Sequence, residues 1–399
     1  MIKIAILGYG TIGSGVVEVL NTNSESIAKR AGDGIEVKYI LDLRDFPGDP
    51  MEDKVIHDYD VIANDPEVEV VVEAMGGVEP AYTFVKRALL AGKNVTTSNK
   101  ALVAKHGAEL IAIAKEQNIN FLFEASVGGG IPIIRPLNSS LTADEIEEIT
   151  GILNGTTNYI LSKMTFEGLE FADVLKDAQS RGYAEADPTA DVEGYDACRK
   201  IAILTSLVCG QQVDFEDIYT EGISKITADD IKYAKEMGLV IKLLATSKKT
   251  KEGYCAMVAP FMLSQQHPLY SVNDVFNAIF VHGNVLGDAM FYGSGAGKLP
   301  TASAVVADIV DIAKHLHKNI LMSWSSKKMN LVDKGRSESR FFVRSTEDKE
   351  KVESLFGEVE FVNVPEISGE VGFLTGNMSE EDFEKKADGL NVIQRIRVV

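Results

Sequence analysis

The chain has 399 residues, of which 45% are hydrophobic and 25% charged, the composition of a soluble globular protein with two or three domains. Its formal net charge of −19 argues against general binding to nucleic acid or to an anionic membrane surface, because phosphates require a basic face. The three cysteines lack CxxC spacing, and the apolar run after Met1 is shorter than a signal peptide needs. No apolar run reaches the ~20 residues of a membrane span, so we expect a reducing, cytoplasmic location.

A predicted buried strand, residues 2–7, leads into the turn Gly8-Tyr9-Gly10-Thr11-Ile12-Gly13 and a helix that continues to Leu20. This is the GxGxxG pattern in the strand–turn–helix context of a dinucleotide-binding fold. Its first glycine makes the turn, its second lets the backbone approach a pyrophosphate, and its third lets helix pack on strand. We expect Gly8, Gly10, Thr11, Ile12 and Gly13 to bind the dinucleotide; the alternative is a glycine-rich turn without a ligand.

The end of the second predicted strand, residues 35–43, bears on the choice of dinucleotide. An acid there binds the ribose 2′-hydroxyl of NAD, whereas an arginine meets the 2′-phosphate of NADP. The sequence offers Asp42, Arg44 and Asp45 together, so it predicts NAD or NADP without choosing between them.

Further apolar strands at 68–75, 94–98 and 119–124 alternate with helices at 80–90 and 101–117. This alternation predicts an α/β fold of the Rossmann type, with a doubly wound parallel sheet, over residues 1–134. A helix at about 300–318 would complete this domain.

Two segments at the ends of these strands are candidates for binding. Lys100 lies just beyond the carboxyl end of strand 94–98, where open parallel sheets bind ligands; the alternative is an exposed lysine. Glu124 ends the last strand and the run Gly128–Gly130 follows it, and their oxygens suit a hard cation. A plain flexible turn is the alternative for that run.

From Ile146 the pattern changes to a second α+β domain with its own sheet, which we place at residues 135–299. Its predicted strands are 146–153, 239–246, 255–262, 278–282 and 289–292. Asn154, Thr156 and Thr157 precede or begin a helix and either hydrogen-bond a ligand or cap that helix.

A helix predicted from Asp191 to Gly210 carries Asp196 and Lys200 four residues apart, hence on one face. That face continues into apolar residues, so the charges interrupt a stripe that should point into the protein. A buried ion pair is costly unless other groups solvate it, and the nearby Glu185 and Asp187 are candidates for this role. The alternative is a surface pair worth only ~0.3–0.5 kcal/mol.

The last part of the sequence reads as a polar linker, residues 325–338, followed by a small βαββαβ domain at 339–399. No constellation of catalytic residues is evident there.

Taken together, residues 2–316 resemble homoserine dehydrogenases, the NAD(P)-dependent enzymes that reversibly reduce L-aspartate 4-semialdehyde to L-homoserine for threonine and methionine synthesis. Six motifs carry the resemblance: GYGTIG (8–13), TSNK (97–100), EASVGGGIPII (124–134), GILNGTTNYI (151–160), GYAEADPTADVEGYDACRK (182–200) and YGSGAGKLPTASAVVADI (292–309).

The resemblance implies roles for individual residues. Lys200 takes the position of the acid/base lysine, with Asp196 beside it, and Lys100 that of a second lysine contacting cofactor and substrate. Glu185, Asp196 and Thr156 take positions in the substrate site. Arg44, Gly182 and Gly297 take positions next to the dinucleotide.

The resemblance also implies a sodium ion, held by Glu124 and by the backbone carbonyls of Val127, Gly129 and Ile131. It implies a homo-oligomer, a dimer or tetramer joined through the middle domain, and an ACT-like domain for residues 339–399. This tail departs from the ACT pattern because no D-x-PG loop follows its first strand.

Two other functions are open to such a chain. A semialdehyde dehydrogenase forms a covalent thiohemiacetal on an activated cysteine, and Cys198 lies on the same helix as Lys200 but points away from its face. A regulator that senses NAD(H) without catalysis would need only the glycine-rich turn.

Overall fold

The computed structural model describes residues 1–399, which fold into two compact units. Unit 1 comprises Met1–Asp144, Ala202–Phe215 and Gly293–Met329. Unit 2 comprises Glu145–Ile201, Glu216–Tyr292 and Asn330–Val399. No helix combines the length and the apolar composition that crossing a membrane requires.

The first 144 residues alternate strand and helix. The strands are β1 (Ile2–Leu7), β2 (Ile35–Leu41), β3 (Val55–Ile56), β4 (Val68–Glu73), β5 (Asn94–Thr97) and β6 (Phe121–Leu122). The helices are α1 (Thr11–Thr22), α2 (Ser24–Ala31), α3 (Tyr59–Asn64), α4 (Ala81–Leu90), α5 (Lys100–Glu116) and α6 (Ala125–Gly128).

These six strands form one parallel sheet in the order β3-β2-β1-β4-β5-β6, which confirms the predicted Rossmann-type sheet. The order reverses between β1 and β4, and ligands bind at the carboxyl ends of strands beside such a reversal. The predicted strand 119–124 is shorter than expected because Glu124 leaves it in helical conformation, with φ −50° and ψ −44°.

Residues 145–329 contain the following elements. The strands are β7 (Ile146–Ile152), β8 (Gln211–Gln212), β9 (Tyr219–Thr220), β10 (Val240–Thr250), β11 (Gly253–Leu263), β12 (Phe276–Gly283), β13 (Gly287–Ser294) and β14 (Ser325–Lys328). The helices are α7 (Gly155–Glu167), α8 (Phe171–Ser180), α9 (Thr189–Val192), α10 (Tyr195–Cys209), α11 (Ala228–Glu236) and α12 (Lys298–Lys314).

Helix α12 contributes to the core of unit 1. Its buried Ala302, Val305 and Ile309 belong to the same apolar cluster as Ile4 and Ile6 of β1. The chain thus returns to the parallel sheet after forming much of unit 2.

The tail has the predicted element order βαββαβ, with one additional short strand. Its elements are β15 (Glu338–Ser345), α13 (Lys349–Phe356), β16 (Glu360–Val362), β17 (Val371–Leu374), β18 (Met378–Ser379), α14 (Glu380–Ala387) and β19 (Val392–Val398).

The tail does not form a separate sheet. Strand β19 pairs in parallel with β11, where Phe261 lies opposite Arg397 and Met262 opposite Val398. One mixed sheet therefore runs β13-β12-β7-β10-β11-β19-β15-β17-β16 through unit 2. The predicted linker 325–338 is also structured in part, because β14 pairs with β8 in unit 1.

The helix predicted from Asp191 to Gly210 is instead two helices, α9 and α10. Gly194, with φ +81°, separates them in a conformation that side chains rarely adopt. Helix α10 therefore begins at Tyr195, which puts Asp196 in its first turn.

Candidate active site

The glycine turn after β1 is built for close packing on one side and is open on the other. A Cβ on Gly13 would lie 2.0 Å from the Gly8 carbonyl oxygen, so only glycine lets α1 approach the turn. Gly8 has φ +91°. A Cβ on Gly10 would meet no atom within 4 Å, so its backbone faces open space.

The N-terminus of α1 adjoins the glycine turn and lacks a side-chain cap. Its cap residue Gly10 makes no side-chain capping bond, and the first turn, which contains Thr11 and Ile12, carries no acid. A 12-residue helix leaves several N–H groups and a partial positive charge there. The turn therefore fits a pyrophosphate.

Asp42 and Arg44 form an ion pair at the end of β2. The Asp42 carboxylate accepts from the Tyr9 N–H at 2.8 Å and from the Arg44 Nε at 2.9 Å. Hydrogen bonds from the Arg44 guanidinium hold the pKa of Asp42 well below its ordinary range. The Arg44 side chain is 62% exposed. An acidic and a basic side chain, Asp42 and Arg44, therefore both lie beside the glycine turn.

A buried carboxylate links the loops at the carboxyl ends of β4 and β5. Glu73 accepts from the N–H groups of Met75 and Gly76 at 2.8 and 3.3 Å, and from the Thr97 hydroxyl. Burial raises the pKa of this fully buried carboxyl.

The turn that follows β5 leads directly into α5. The Asn99 N–H donates to the Thr97 hydroxyl at 2.9 Å, and the Asn99 side chain caps α5 through the Leu102 N–H. Lys100 is the first residue of α5, at the ligand-binding edge of the sheet where it was expected.

The Glu124 carboxylate is already surrounded by backbone donors. Its Oε1 accepts from the N–H groups of Ile133 and Ile134 at 2.6 and 2.8 Å, and its Oε2 from that of Arg135 at 2.7 Å. Little lone-pair capacity remains for a cation. In unit 1 the carboxylate thus closes the 124–135 turn.

The backbone of the glycine run offers better cation ligands than the Glu124 carboxylate. Gly129 has φ +58°, and a Cβ there would lie 2.3 Å from the Gly295 carbonyl oxygen. Ile131 donates to the Gly128 carbonyl and Gly130 to the Ser294 carbonyl, so neither bond uses the oxygens of Val127, Gly129 or Ile131. Carbonyl oxygens are ligands that hard cations accept.

Asp308 of α12 reaches into the same turn. It accepts from the Glu124 N–H and the Thr96 hydroxyl, both at 3.0 Å, and pairs with Arg135. Burial and then the Glu124 charge raise the pKa of Asp308 to about 7. Sequence inspection passed over Asp308 because its partners lie about 180 residues away.

In unit 2, Asp196 and Lys200 form the predicted ion pair, with 2.8 Å between Oδ2 and Nζ. Their side chains are only 7% and 10% exposed, which excludes the surface-pair alternative. Ile203 and Leu204, farther along the same helix, are fully buried.

The groups that solvate this pair are not the predicted ones. The Leu153 carbonyl accepts from Lys200 Nζ at 2.8 Å. The Asn154 amide donates to Asp196 Oδ2 at 3.0 Å and to Asp191 Oδ1 at 2.7 Å. The spacing of residues in the sequence could not predict these contacts, because they join segments about 40 residues apart.

The remaining candidates in unit 2 lie around the 181–188 loop. Glu185 is exposed, and Asp187 accepts from the hydroxyl of Thr189 rather than from the ion pair. The Thr156 hydroxyl donates to the Tyr183 carbonyl at 2.6 Å. Gly182 is in this loop with φ +75°. The loop is therefore anchored through Tyr183 and leaves Glu185 accessible.

Gly297 belongs to unit 1, where it has φ +118° and caps α12 without a side chain. The N-terminus of α12, like that of α1, has no acid in its first turn. A helix of 17 residues carries a partial positive charge at its N-terminus, so this end of α12 can also bind an anionic group.

The geometry does not support a thiol nucleophile at Cys198. Its side chain is 3% exposed, and burial raises the pKa of the thiol. A reactive cysteine needs the opposite environment, one that stabilises the thiolate.

Two family models match the chain. The model for the homoserine dehydrogenase NAD-binding domain matches residues 8–124, and the homoserine dehydrogenase model matches residues 132–310. The first contains the glycine turn and Lys100, and the second contains the Asp196–Lys200 pair.

Relatives extend the match to the whole chain. The homoserine dehydrogenase of Bacillus subtilis is 38% identical and covers 100% of this chain and 96% of its own length. That of Synechocystis is 48% identical over 78% of this chain and 73% of its own. A crystal structure of the Thiobacillus denitrificans homoserine dehydrogenase is 36% identical over 100% of this chain and 98% of that one, with a TM-score of 0.90.

The chain belongs to the homoserine dehydrogenase family.

As a homoserine dehydrogenase, the chain is an NAD(P)-dependent oxidoreductase. A hyperthermophilic archaeal homoserine dehydrogenase solved in complex with NADPH is 29% identical, with a TM-score of 0.65. It covers 78% of this chain and 97% of its own, so most of this chain has a counterpart in a homoserine dehydrogenase that binds a dinucleotide.

Proposed function

We propose that this chain reversibly reduces L-aspartate 4-semialdehyde to L-homoserine, with Lys200 as the proton donor and acceptor. The buried Lys200–Asp196 pair is the observation that carries this proposal. An ammonium has three N–H donors, and the Leu153 carbonyl and Asp196 take two of them. One donor is left for the substrate oxygen.

The dinucleotide supplies or accepts the hydride when it is bound. During reduction, negative charge develops on the aldehyde oxygen, and the Lys200 ammonium stabilises and then protonates it. During oxidation, Lys200 must first lose a proton to accept one from the substrate hydroxyl. Asp196 holds the lysine in place throughout.

Substrate recognition is assigned to four side chains. We propose that Glu185 binds the ammonium group of the amino-acid substrate, which its exposed carboxylate supports. Asp196 and Thr156 contribute hydrogen bonds, and Lys100 contacts both substrate and cofactor.

The dinucleotide is NAD or NADP. We propose that Gly8, Gly10, Thr11, Ile12 and Gly13 hold its pyrophosphate, which the open face of Gly10 and the uncapped start of α1 support. Further contacts are assigned to Arg44, Lys100, Gly182 and Gly297. Assays with each coenzyme at several concentrations would decide the preference.

A monovalent cation, sodium in particular, is proposed at the carbonyl oxygens of Val127, Gly129 and Ile131. Glu124 shapes this turn through its three backbone N–H contacts, which leave it at most a minor share in the coordination. Activity that does not change when Na⁺ is replaced by a bulky organic cation would contradict the assignment.

We infer further that the enzyme is a cytoplasmic homo-oligomer, a dimer or tetramer joined through the middle domain at residues 135–299. Exposed apolar side chains of the β12–β13 hairpin support this: Val285 (76% exposed), Leu286 (55%), Met290 (46%) and Tyr292 (55%). Sedimentation velocity that finds only a monomer at micromolar concentration would overturn it.

We propose that residues 339–399 are an ACT-like domain. The strand order β19-β15-β17-β16 of a βαββαβ unit supports this assignment. Whether this tail binds an effector is tested by titrating activity with threonine.

The central test is Lys200→Met, which keeps the length of the side chain and removes the proton. We expect dinucleotide binding within about twofold of the parent and a loss of turnover of at least about 100-fold, equivalent to ~2.7 kcal/mol. Lys176→Met is the matched control, because its side chain is 78% exposed in the same unit. Turnover of Lys200→Met within about tenfold of the parent would refute the assigned role.

A further inference from the structure

Asn154 lies between β7 and α7, and the oxygen and the NH₂ group of its side-chain amide bind different partners. Its Oδ1 accepts from the Thr157 N–H at 2.8 Å and from the Thr157 hydroxyl at 3.0 Å, so this end caps α7. Its backbone is extended, with φ −131° and ψ 117°, as a cap residue requires. A capping role alone would be filled equally well by serine or aspartate.

The NH₂ end of Asn154 has no part in capping. It donates to Asp191 Oδ1 at 2.7 Å and to Asp196 Oδ2 at 3.0 Å, and thereby joins a carboxylate of α9 to one of α10. Like charges this close repel each other in a poorly hydrated environment, and Asp196 is only 5% exposed. A neutral double donor between the two acids offsets that repulsion.

Residues 153 and 154 therefore hold both members of the ion pair. The Leu153 carbonyl accepts from Lys200 Nζ at 2.8 Å, and the next residue fixes the Asp196 oxygen to which the same Nζ binds. With two acceptors held by one dipeptide, the lysine keeps one orientation and its third N–H stays available.

We propose that Asn154 is a positioning residue for proton transfer, acting through Asp196 on Lys200. The inference rests on the proposed role of Lys200 as the acid and base. It predicts that the NH₂ group of Asn154, and not its capping oxygen, sets the rate and the pH dependence of homoserine oxidation.

Two substitutions separate these functions. Asn154→Ser keeps a capping oxygen and removes the NH₂ donor. Asn154→Asp also keeps the cap and nearly the same volume, but it replaces the donor by a third carboxylate beside Asp191 and Asp196. Both caps are among the preferred residues, so the helix is retained.

We expect Asn154→Ser to lower kcat for homoserine oxidation about 10- to 100-fold, as a misplaced catalytic group does. The KM for the dinucleotide should stay within about twofold. Asn154→Asp should lower kcat as well, and it should move the midpoint of the kcat–pH profile upward by about one pH unit, because added negative charge favours the protonated lysine. A purely structural role would not move this profile.

Asn158→Ser is the matched control on the same helix. Asn158 is buried and donates to the carbonyls of Val272 and Phe276, but it does not contact the ion pair. This variant should lose stability and keep the parent pH profile. A kcat loss in Asn158→Ser equal to that in Asn154→Ser would overturn the inference.

The two proposals fail in distinguishable ways. Lys200→Met that remains active refutes the proposed proton transfer itself. An inactive Lys200→Met together with Asn154→Ser and Asn154→Asp enzymes of parental kcat and pH profile refutes only the positioning role. If the serine variant does not fold, the aspartate variant decides alone, through its pH profile.

Discussion

Two buried lysines of unit 2 are accommodated in different ways. Lys200 has a carboxylate partner, whereas Lys242, 2% exposed, donates to three neutral oxygens. These acceptors are the Val272 carbonyl at 2.6 Å, Asn273 Oδ1 at 2.9 Å and Asn158 Oδ1 at 3.1 Å. Burial lowers the pKa of Lys242 to about 8, and the charge of the nearby Asp274 opposes this shift only in part.

The lowered pKa of Lys242 predicts how stability depends on pH. Between pH 8 and 10.5 the folded chain binds fewer protons at this group than the unfolded chain, so the free energy of unfolding rises with pH. Lys242→Met removes this contribution. We expect the stability of the parent relative to the variant to increase by about 2 kcal/mol from pH 7.5 to 9.5 in urea unfolding.

Lys248→Met serves as the control for this pH effect. Its side chain is 50% exposed on the same strand, so its substitution should leave the pH dependence of stability unchanged. A difference between parent and Lys242→Met that is constant across the range would show that Lys242 titrates as an ordinary lysine.

The residues of the ion pair were predictable, but their surroundings were not. Spacing along one helix placed Asp196 and Lys200 on a common apolar face, and the structure confirms both the pair and its burial. Asn154 was predicted to bind a ligand or to cap a helix, and it does cap α7, but its bonds to Asp191 and Asp196 were not predicted because tertiary packing alone brings these residues together. Local patterns carry no information about contacts of that sequence separation.

At the scale of elements, two glycines of the turn between β1 and α1 have different roles, one in packing and one in ligand binding. A Cβ on Gly13 would lie 2.0 Å from the Gly8 oxygen and push α1 off the strand, whereas a Cβ on Gly10 would meet open space. Gly13 therefore belongs to the packed core, whereas Gly10 belongs to the surface that faces a ligand.

We therefore expect opposite effects from two alanine substitutions. Gly13→Ala should lower the free energy of unfolding by about 1–3 kcal/mol, because it overpacks the turn. Gly10→Ala should keep the parent stability within about 0.5 kcal/mol and weaken NAD(P)H binding at least about tenfold, because its methyl group occupies the approach of the pyrophosphate. Urea unfolding and dinucleotide fluorescence titration measure the two effects. A Gly10→Ala protein that binds normally would contradict the assigned cofactor contact.

The break between α9 and α10 could not be predicted from the periodicity of apolar residues. The apolar repeat favoured one continuous helix, but a Cβ on Gly194 would lie 3.1 Å from Val258 and 3.2 Å from Thr220. The constraint comes from other strands, so the repeat could not reveal it.

At the scale of the whole molecule, buried arginines tie the tail to the rest of unit 2. Arg344 of β15 binds Asp230 of α11 at 2.7 Å and Glu370 at 2.7 Å. Arg397 of β19 binds Glu380 of α14 and Glu221, which follows β9. Removing one partner of such a network leaves a buried charge without compensation.

Two arginines of β15 provide a paired test. Arg344→Met should lower the free energy of unfolding by about 3–5 kcal/mol, because Asp230 is fully buried and Glu370 is nearly so. Arg340→Met breaks a pair whose side chains are 46% and 70% exposed, so it should cost less than about 1 kcal/mol. Equal losses in urea unfolding would mean that the buried network does not stabilise the tail.

The class of each sheet was predictable, but the extent of the second sheet was not. Alternating apolar strands and helices identified the parallel sheet, and short strands with turns identified the second one. The continuation of the second sheet into the tail depends on two paired positions between β11 and β19. Nothing in either strand alone distinguishes this pairing from an exposed edge.

The place of β19 in that sheet constrains biosynthesis. Strand β19 lies between β11 and β15, yet its residues, 392–398, are made long after β11. Until these residues are made, the edge of β11 at Phe261 and Met262 lacks its partner strand, and only β9 pairs on that side, at Met257 and Val258. An unpaired strand edge of this kind is open to aggregation. The second sheet therefore reaches its full extent only after residues 392–398 have been made, and a chaperone that binds the nascent chain would protect this strand edge until then.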